Sequence, residues 1–181
     1  DYRYARVAGE DQSWLIDQNP DIPATVGAWL ESDIIDIDAS RIKAVSVRHP
    51  DGEAIQIEKF AEEDTDFRVT DIPDGRELSY STVANGIGGA LNDLDLDDVR
   101  AAMPAEEAVT AEFRTFDGLT IVARTIRADD ENWISFELSG ADSEEATKLR
   151  SRIDGWQYKV ADYKANLLTR RWEDILKPVE E

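Results

Sequence analysis

Apolar residues recur at every second position through much of the chain. Tyr2 and Tyr4 share one face of residues 2–8, Gly9-Glu10-Asp11 interrupts, and Trp14 and Ile16 share a face of residues 12–16, so the pattern predicts an opening hairpin. Val45 and Val47 alternate within 42–48, the turn residues His49-Pro50-Asp51-Gly52 follow, and Ile55 and Ile57 mark the returning strand over 53–60. A third short strand is predicted over Phe67–Val69. The same succession recurs with strands over 109–116 and 119–128 about Asp117-Gly118, then a third over 133–138. Helical spacing is rarer. Val26, Trp29 and Leu30 suggest one or two turns after Pro23, and Val83, Ile87, Leu91 and Leu94 at i, i+4, i+8 and i+11 predict an amphipathic helix.

Gly52 and Gly118 lie 66 residues apart, and Phe67 and Ile134 lie 67 apart, so residues 24–69 and 80–138 read as a divergent tandem repeat. The closing stretch, 142–177, differs. Asp142 and Glu145 resemble a capping box ahead of a helix carrying Ala146, Leu149 and Ile153, which Gly155 ends. Trp156, Tyr158 and Val160 alternate as a strand, and Asp162 opens a final helix with Leu168, Trp172, Ile175 and Leu176 on one face before Pro178. The expectation is a single α+β domain over 1–181. Its largely antiparallel sheet or sheets come from two tandem helix-plus-three-strand units, closed by a C-terminal helix–strand–helix. Whether the units share one sheet or form two lobes is open in the pattern.

At 181 residues and 41% hydrophobic, the chain can build a core without a disulfide or metal staple. It has no cysteine, which removes thiol chemistry, and no apolar run approaches the 18 residues of a membrane span. Twenty basic against forty acidic residues give a net charge of −20. With no basic stripe to offset it, that charge repels a phosphate backbone and argues against nucleic acid as a partner. The acid excess also suits a salty environment, where screening relieves self-repulsion.

Candidate chemistry is sparse. His49 is the single histidine, but it sits in a turn with no cysteine to activate and no Gly-x-Ser-x-Gly elbow elsewhere, so it reads as an exposed turn residue. The acidic clusters Asp33, Asp36, Asp38 and Asp93, Asp95, Asp97, Asp98 offer the oxygens a hard cation wants. Asp93-x-Asp95-x-Asp97 matches the first ligand positions of a calcium loop, but Asp98 stands where Gly is needed and Pro104 where the bidentate Glu belongs. Both clusters alternate with apolar residues, so they read chiefly as solvated faces of half-buried extended segments. A cation or small-ligand site at Asp93, Asp95, Asp97 and Asp98 is the alternative. Asn85-Gly86-Ile87-Gly88-Gly89-Ala90 lacks the Lys-Ser/Thr of a phosphate loop, and three helical glycines imply a close backbone approach to a neighbour. The five tryptophans fall in amphipathic or alternating segments and read as core. No catalytic residue and no cofactor are assigned.

Gly155-Trp156-Gln157-Tyr158, Asp162-Tyr163-Lys164, Trp14-Leu15-Ile16, Ala28-Trp29-Leu30, Ile34-Ile35-Asp36-Ile37, His49-Pro50-Asp51-Gly52 and Leu96-Asp97-Asp98-Val99 together resemble, in order and spacing, the domain of unknown function 4340 family. The resemblance implies an extracytoplasmic domain behind an amino-terminal membrane helix, often encoded beside gliding-motility-type ABC transport components. It carries no established catalytic or binding residues. The chain opens at Asp1 without an initiator Met, so the expectation is that a front segment was removed, either a natural targeting segment or a designed truncation, two alternatives that the sequence leaves open. The function expected is a non-catalytic accessory module on the periplasmic or extracellular face. Its partner is a protein within a membrane complex, and it touches the membrane only through that amino-terminal helix.

Overall fold

The computed structural model describes residues 3–17, 23, 29–104 and 107–178. Their centre is one eight-stranded, wholly antiparallel sheet, so the two predicted units share a sheet and do not form lobes. Its strands are β4 (Ile42–Arg48), β5 (Ala54–Glu58), β6 (Arg68–Thr70), β8 (Asp98–Ala101), β9 (Val109–Thr115), β10 (Leu119–Ala128), β11 (Glu131–Gly140) and β12 (Trp156–Lys159), in the order β6-β5-β4-β9-β10-β11-β12-β8. Two ribbons stand beside it. One is the opening hairpin of β1 (Arg3–Arg6) and β2 (Ser13–Ile16), and the other pairs β3 (Asp33–Ile35) with β7 (Leu94–Asp95).

The strands follow from alternation. On β10, Leu119, Ile121, Ala123 and Thr125 are buried while Thr120, Val122, Arg124 and Ile126 are half-buried, so one face carries the core and the other meets water. Val45, Val47, Ile55, Ile57, Ala111, Phe113, Ile134 and Phe136 continue the buried face. The β3–β7 ribbon and the helices add Ile34, Ile35, Leu94, Ile87, Ile153 and Leu168 to the same core.

The 66-residue offset is built into the strand register. Val45 pairs with Ile57 and Val47 with Ile55; 66 residues on, Ala111 pairs with Ala123 and Phe113 with Ile121. At the seam between β4 and β9, Val45 faces Phe113 and Val47 faces Ala111.

The expected α+β class, with its two tandem helix-plus-three-strand units, is overturned. The protein is mostly β, and among the described residues its helices are α1 (Asn85–Gly88), α2 (Glu144–Ile153), α3 (Asp162–Leu168) and α4 (Trp172–Ile175), the longest of them ten residues. The short helix expected around Val26 lies largely outside the described residues. The one predicted over Val83–Leu94 shrinks to α1, flanked by turns such as Asn85 N–H to Thr82 O and Ala90 N–H to Ile87 O. Glycines at 86, 88 and 89 explain this, since each disfavours helix by about 1 kcal/mol relative to Ala, and Asp93 then enters the left-handed region at φ 43°. The closing helix is split. The carboxylate of Glu53 accepts hydrogen bonds from Arg171 Nη1 and from the Trp172 N–H, both at 2.6 Å, and so caps α4 as a separate element. Among the described residues no helix is long and apolar enough to cross a membrane.

Candidate functional site

An apolar concavity lies where β12 begins. Gly155 takes φ 79° after α2, and β12 then places Trp156 two positions from buried Tyr158 on the core face, at the end of the strand. Tyr158 reaches inward, 6.3 Å centroid to centroid from Phe136. Trp156, at the strand end, remains 45% exposed. Together with Leu30, Ile34, Leu96 and Val99 these rings line an apolar cavity of about 250 Å³, rimmed by Glu31, Asp33 and Arg152.

Arg152, in the last turn of α2, closes one wall. Its Nη1 donates to the Asp33 carbonyl at 2.9 Å and to Asp33 Oδ2 at 3.0 Å. Its own carbonyl accepts the Tyr158 hydroxyl at 2.7 Å, and burial pushes that hydroxyl's pKa up. Glu31 is less engaged, with its carboxylate 4.0 Å from Arg152 Nη2 and its side chain 92% exposed. A wider groove of about 440 Å³ continues between Asp33–Ile37 and Glu144, Lys148 and Leu149 of α2. Beyond Trp156, a third depression of about 430 Å³ runs past exposed Met103, Pro104, Phe136 and Ile153. Trp156 is thus the ridge between two hollows. An apolar wall with fixed polar groups at its rim holds a ligand side chain and orients it.

The two acidic clusters meet across the β3–β7 ribbon, where Asp33 faces Asp95. Like charges directly opposite destabilise a ladder, and Arg152 on Asp33 offsets this pair. Three other carboxylates accept backbone N–H groups: Asp36 Oδ1 that of Asp93 at 3.0 Å, Asp38 Oδ1 that of Ser40 at 2.7 Å, and Asp98 Oδ1 that of Val99 at 2.8 Å. The Ser40 contacts hold the Asp38 carboxyl below its ordinary range. Asp97 is exposed, and its backbone N–H donates to the Lys159 carbonyl. Among the described residues no three His, Asp or Glu side chains converge as a metal site.

His49 is not the exposed turn residue that the sequence suggests. It is buried, with Nε2 3.1 Å from the Arg170 carbonyl and Nδ1 without a hydrogen-bond partner, because the segment between α3 and α4 packs over the turn. Trp156 shows the opposite error. Alternation alone assigns it to the core, and the sole hint of its position is Gly155, which starts the strand there. Arg152 carries no local signal, being one of two arginines in the last turn of α2.

The family model described as domain of unknown function (DUF4340) matches residues 1–115. That span includes the motifs from Trp14 to Val99 and stops before Gly155-Trp156-Gln157-Tyr158. No curated protein and no solved structure matches the chain.

Proposed function

Since the chain belongs to the family of domain of unknown function 4340, we propose that it is a non-catalytic interaction module that docks a protein partner on the outer side of a membrane, within a transport or envelope assembly. The observation that supports this most is the Trp156 ridge, a half-exposed indole between two hollows with Leu30 and Met103 exposed beside it. A buried aromatic anchor surrounded by apolar contacts is the usual centre of a protein interface. The net charge of −20 favours a partner with a basic face and speeds its encounter. Asp33 and the Tyr158 hydroxyl are both held by Arg152, which leaves Glu31 as the loosely engaged charge on the rim.

The test is crosslinking and co-purification of the full-length protein from its own cells. Subunits of an ABC-type or envelope complex are expected with the wild type and are lost with Trp156→Ser. Repeated recovery of none with the wild type, or undiminished recovery with the variant, refutes the reading.

A further inference from the structure

The opening hairpin is an unsatisfied element. Every residue of β1 and β2 is exposed except half-buried Ile16, with Tyr4 at 80% and Trp14 at 54% exposure, and a lone two-stranded hairpin is marginal in water. Its register pairs Arg3 with Ile16 and Ala5 with Trp14, so these four side chains share one face. In a chain with twice as many acids as bases, the two strands contain two arginines and no acid.

The cavity beside Trp156 has the complementary character. It is apolar within, carries Glu31 at its rim beside the paired Asp33 and Arg152, and is of a size for one aromatic side chain and no folded segment. Glu31 keeps its carboxylate free enough to accept a second cation. We propose that two copies of this chain associate by each seating Trp14 of its hairpin in the other's cavity against Trp156, with Arg3 meeting Glu31 at the rim. This deepens the docking reading given above and rests on it.

A reciprocal exchange makes two identical contacts and closes as a two-fold dimer. Each aromatic anchor buries about 150–250 Å², so two anchors and their surrounds fall toward the small end of specific interfaces and give a reversible dimer. Two bodies of charge −20 repel each other at long range, and screening weakens that repulsion. Association therefore strengthens with salt, although its rim pairs are ionic.

Sedimentation velocity of the purified chain up to about 200 µM, at about 0.05 M and 0.5 M NaCl, reads this directly. The expected result is a dimer favoured at the higher salt. Trp14→Ser and Trp156→Ser should each weaken it at least tenfold, and mixing the two variants should restore a heterodimer through one intact contact. Arg3→Glu should weaken it, and Arg3→Glu mixed with Glu31→Arg should recover it. Trp14 lies in an exposed hairpin, so an unchanged thermal melt separates loss of contact from loss of fold. A monomer at every salt overturns the proposal, as does a dimer indifferent to Trp14→Ser. A monomer whose Trp14 fluorescence is shielded from quencher also overturns it, by showing docking within one chain. A monomeric wild type that still loses its membrane partner on Trp156→Ser overturns self-association alone and leaves the docking reading standing.

Discussion

Replacing Gly88 with Ala is expected to destabilise the protein, against the ordinary preference of helices for Ala. Gly88 is the last residue of α1, buried against Phe67, and a Cβ there falls 2.2 Å from Phe67 Cε2, 2.5 Å from Cζ and 2.6 Å from Cδ2. The ring has little room to retreat. It is itself 3% exposed, Lys59 Nζ stands 4.6 Å from its centroid, and the Phe67 N–H is tied to Asn85 Oδ1 at 3.0 Å. Overpacking of this kind costs about 1–3 kcal/mol or somewhat more, while removing a helical glycine returns about 1 kcal/mol. Three ring atoms within 2.6 Å put the cost at the upper end, about 3 kcal/mol, so the net loss is about 2 kcal/mol and lowers Tm by about 4–8 °C in a chain of this size. Gly86 is the internal control. Its added Cβ meets only the Leu167 Cδ2 tip, at 3.2 Å, which can swing aside, so Gly86→Ala should be neutral or stabilising by up to about 1 kcal/mol. The assay is thermal and urea unfolding of both variants and of Gly88→Ala combined with Phe67→Leu. The double variant should be more stable than the sum of the single losses allows, because the smaller side chain frees the space. Gly88→Ala as stable as wild type, or no coupling with Phe67, would refute the reasoning.

Two further outcomes follow from the charged groups. The Thr115 hydroxyl and then Arg41 hold the Asp117 carboxyl below its ordinary value, and Arg41 also joins Glu145 of α2 at 2.7 Å. A carboxylate with a lowered folded pKa contributes stability that is complete above its unfolded value of about 4 and vanishes as pH falls through the folded value. The Tm gap between wild type and Arg41→Ala should accordingly be widest at neutral pH and shrink below about pH 4, and a gap constant from about pH 6 to 3 would contradict this. Calcium in millimolar excess should leave Tm unchanged, because the Asp93–Asp98 carboxylates do not converge; a site occupied at ten times its Kd would add about 1.4 kcal/mol and several degrees.

The sheet was largely legible because a buried face and a wet face impose a two-residue period. Val45 and Val47, Ile55 and Ile57, and Phe113 and Ile121 all sit where alternation puts them, and the turns at Gly52 and Gly118 take the positive φ their glycines signal. Helix length was legible only where nothing competed with it. Val83, Ile87, Leu91 and Leu94 are all buried, as the helical spacing requires, yet glycine-rich turns bury them equally well. The split between α3 and α4 depends on Glu53, more than 100 residues away, which no window along the chain contains. The site was the least legible part. The cavity takes its walls from Leu30, Leu96 and Trp156, segments far apart in the chain that the β3–β7 ribbon and the pairing of β12 with β8 bring together.

The threading of β12 between β11 and β8 sets an order in time. β8 leaves the ribosome well before β12, yet in the finished sheet β12 lies between β11 and β8. Until residues 156–159 arrive, β8 has no neighbour to pair with. Strands β4 to β6 and β9 to β11 can zip together as they emerge, each beside one already made. The last two must await a late insertion that closes a loop of more than fifty residues, a slow step by the entropy of chain closure. The wall that carries Trp156 is therefore among the final parts of the molecule to be born, and a nascent chain halted short of it holds a nearly complete scaffold with its docking surface still unmade.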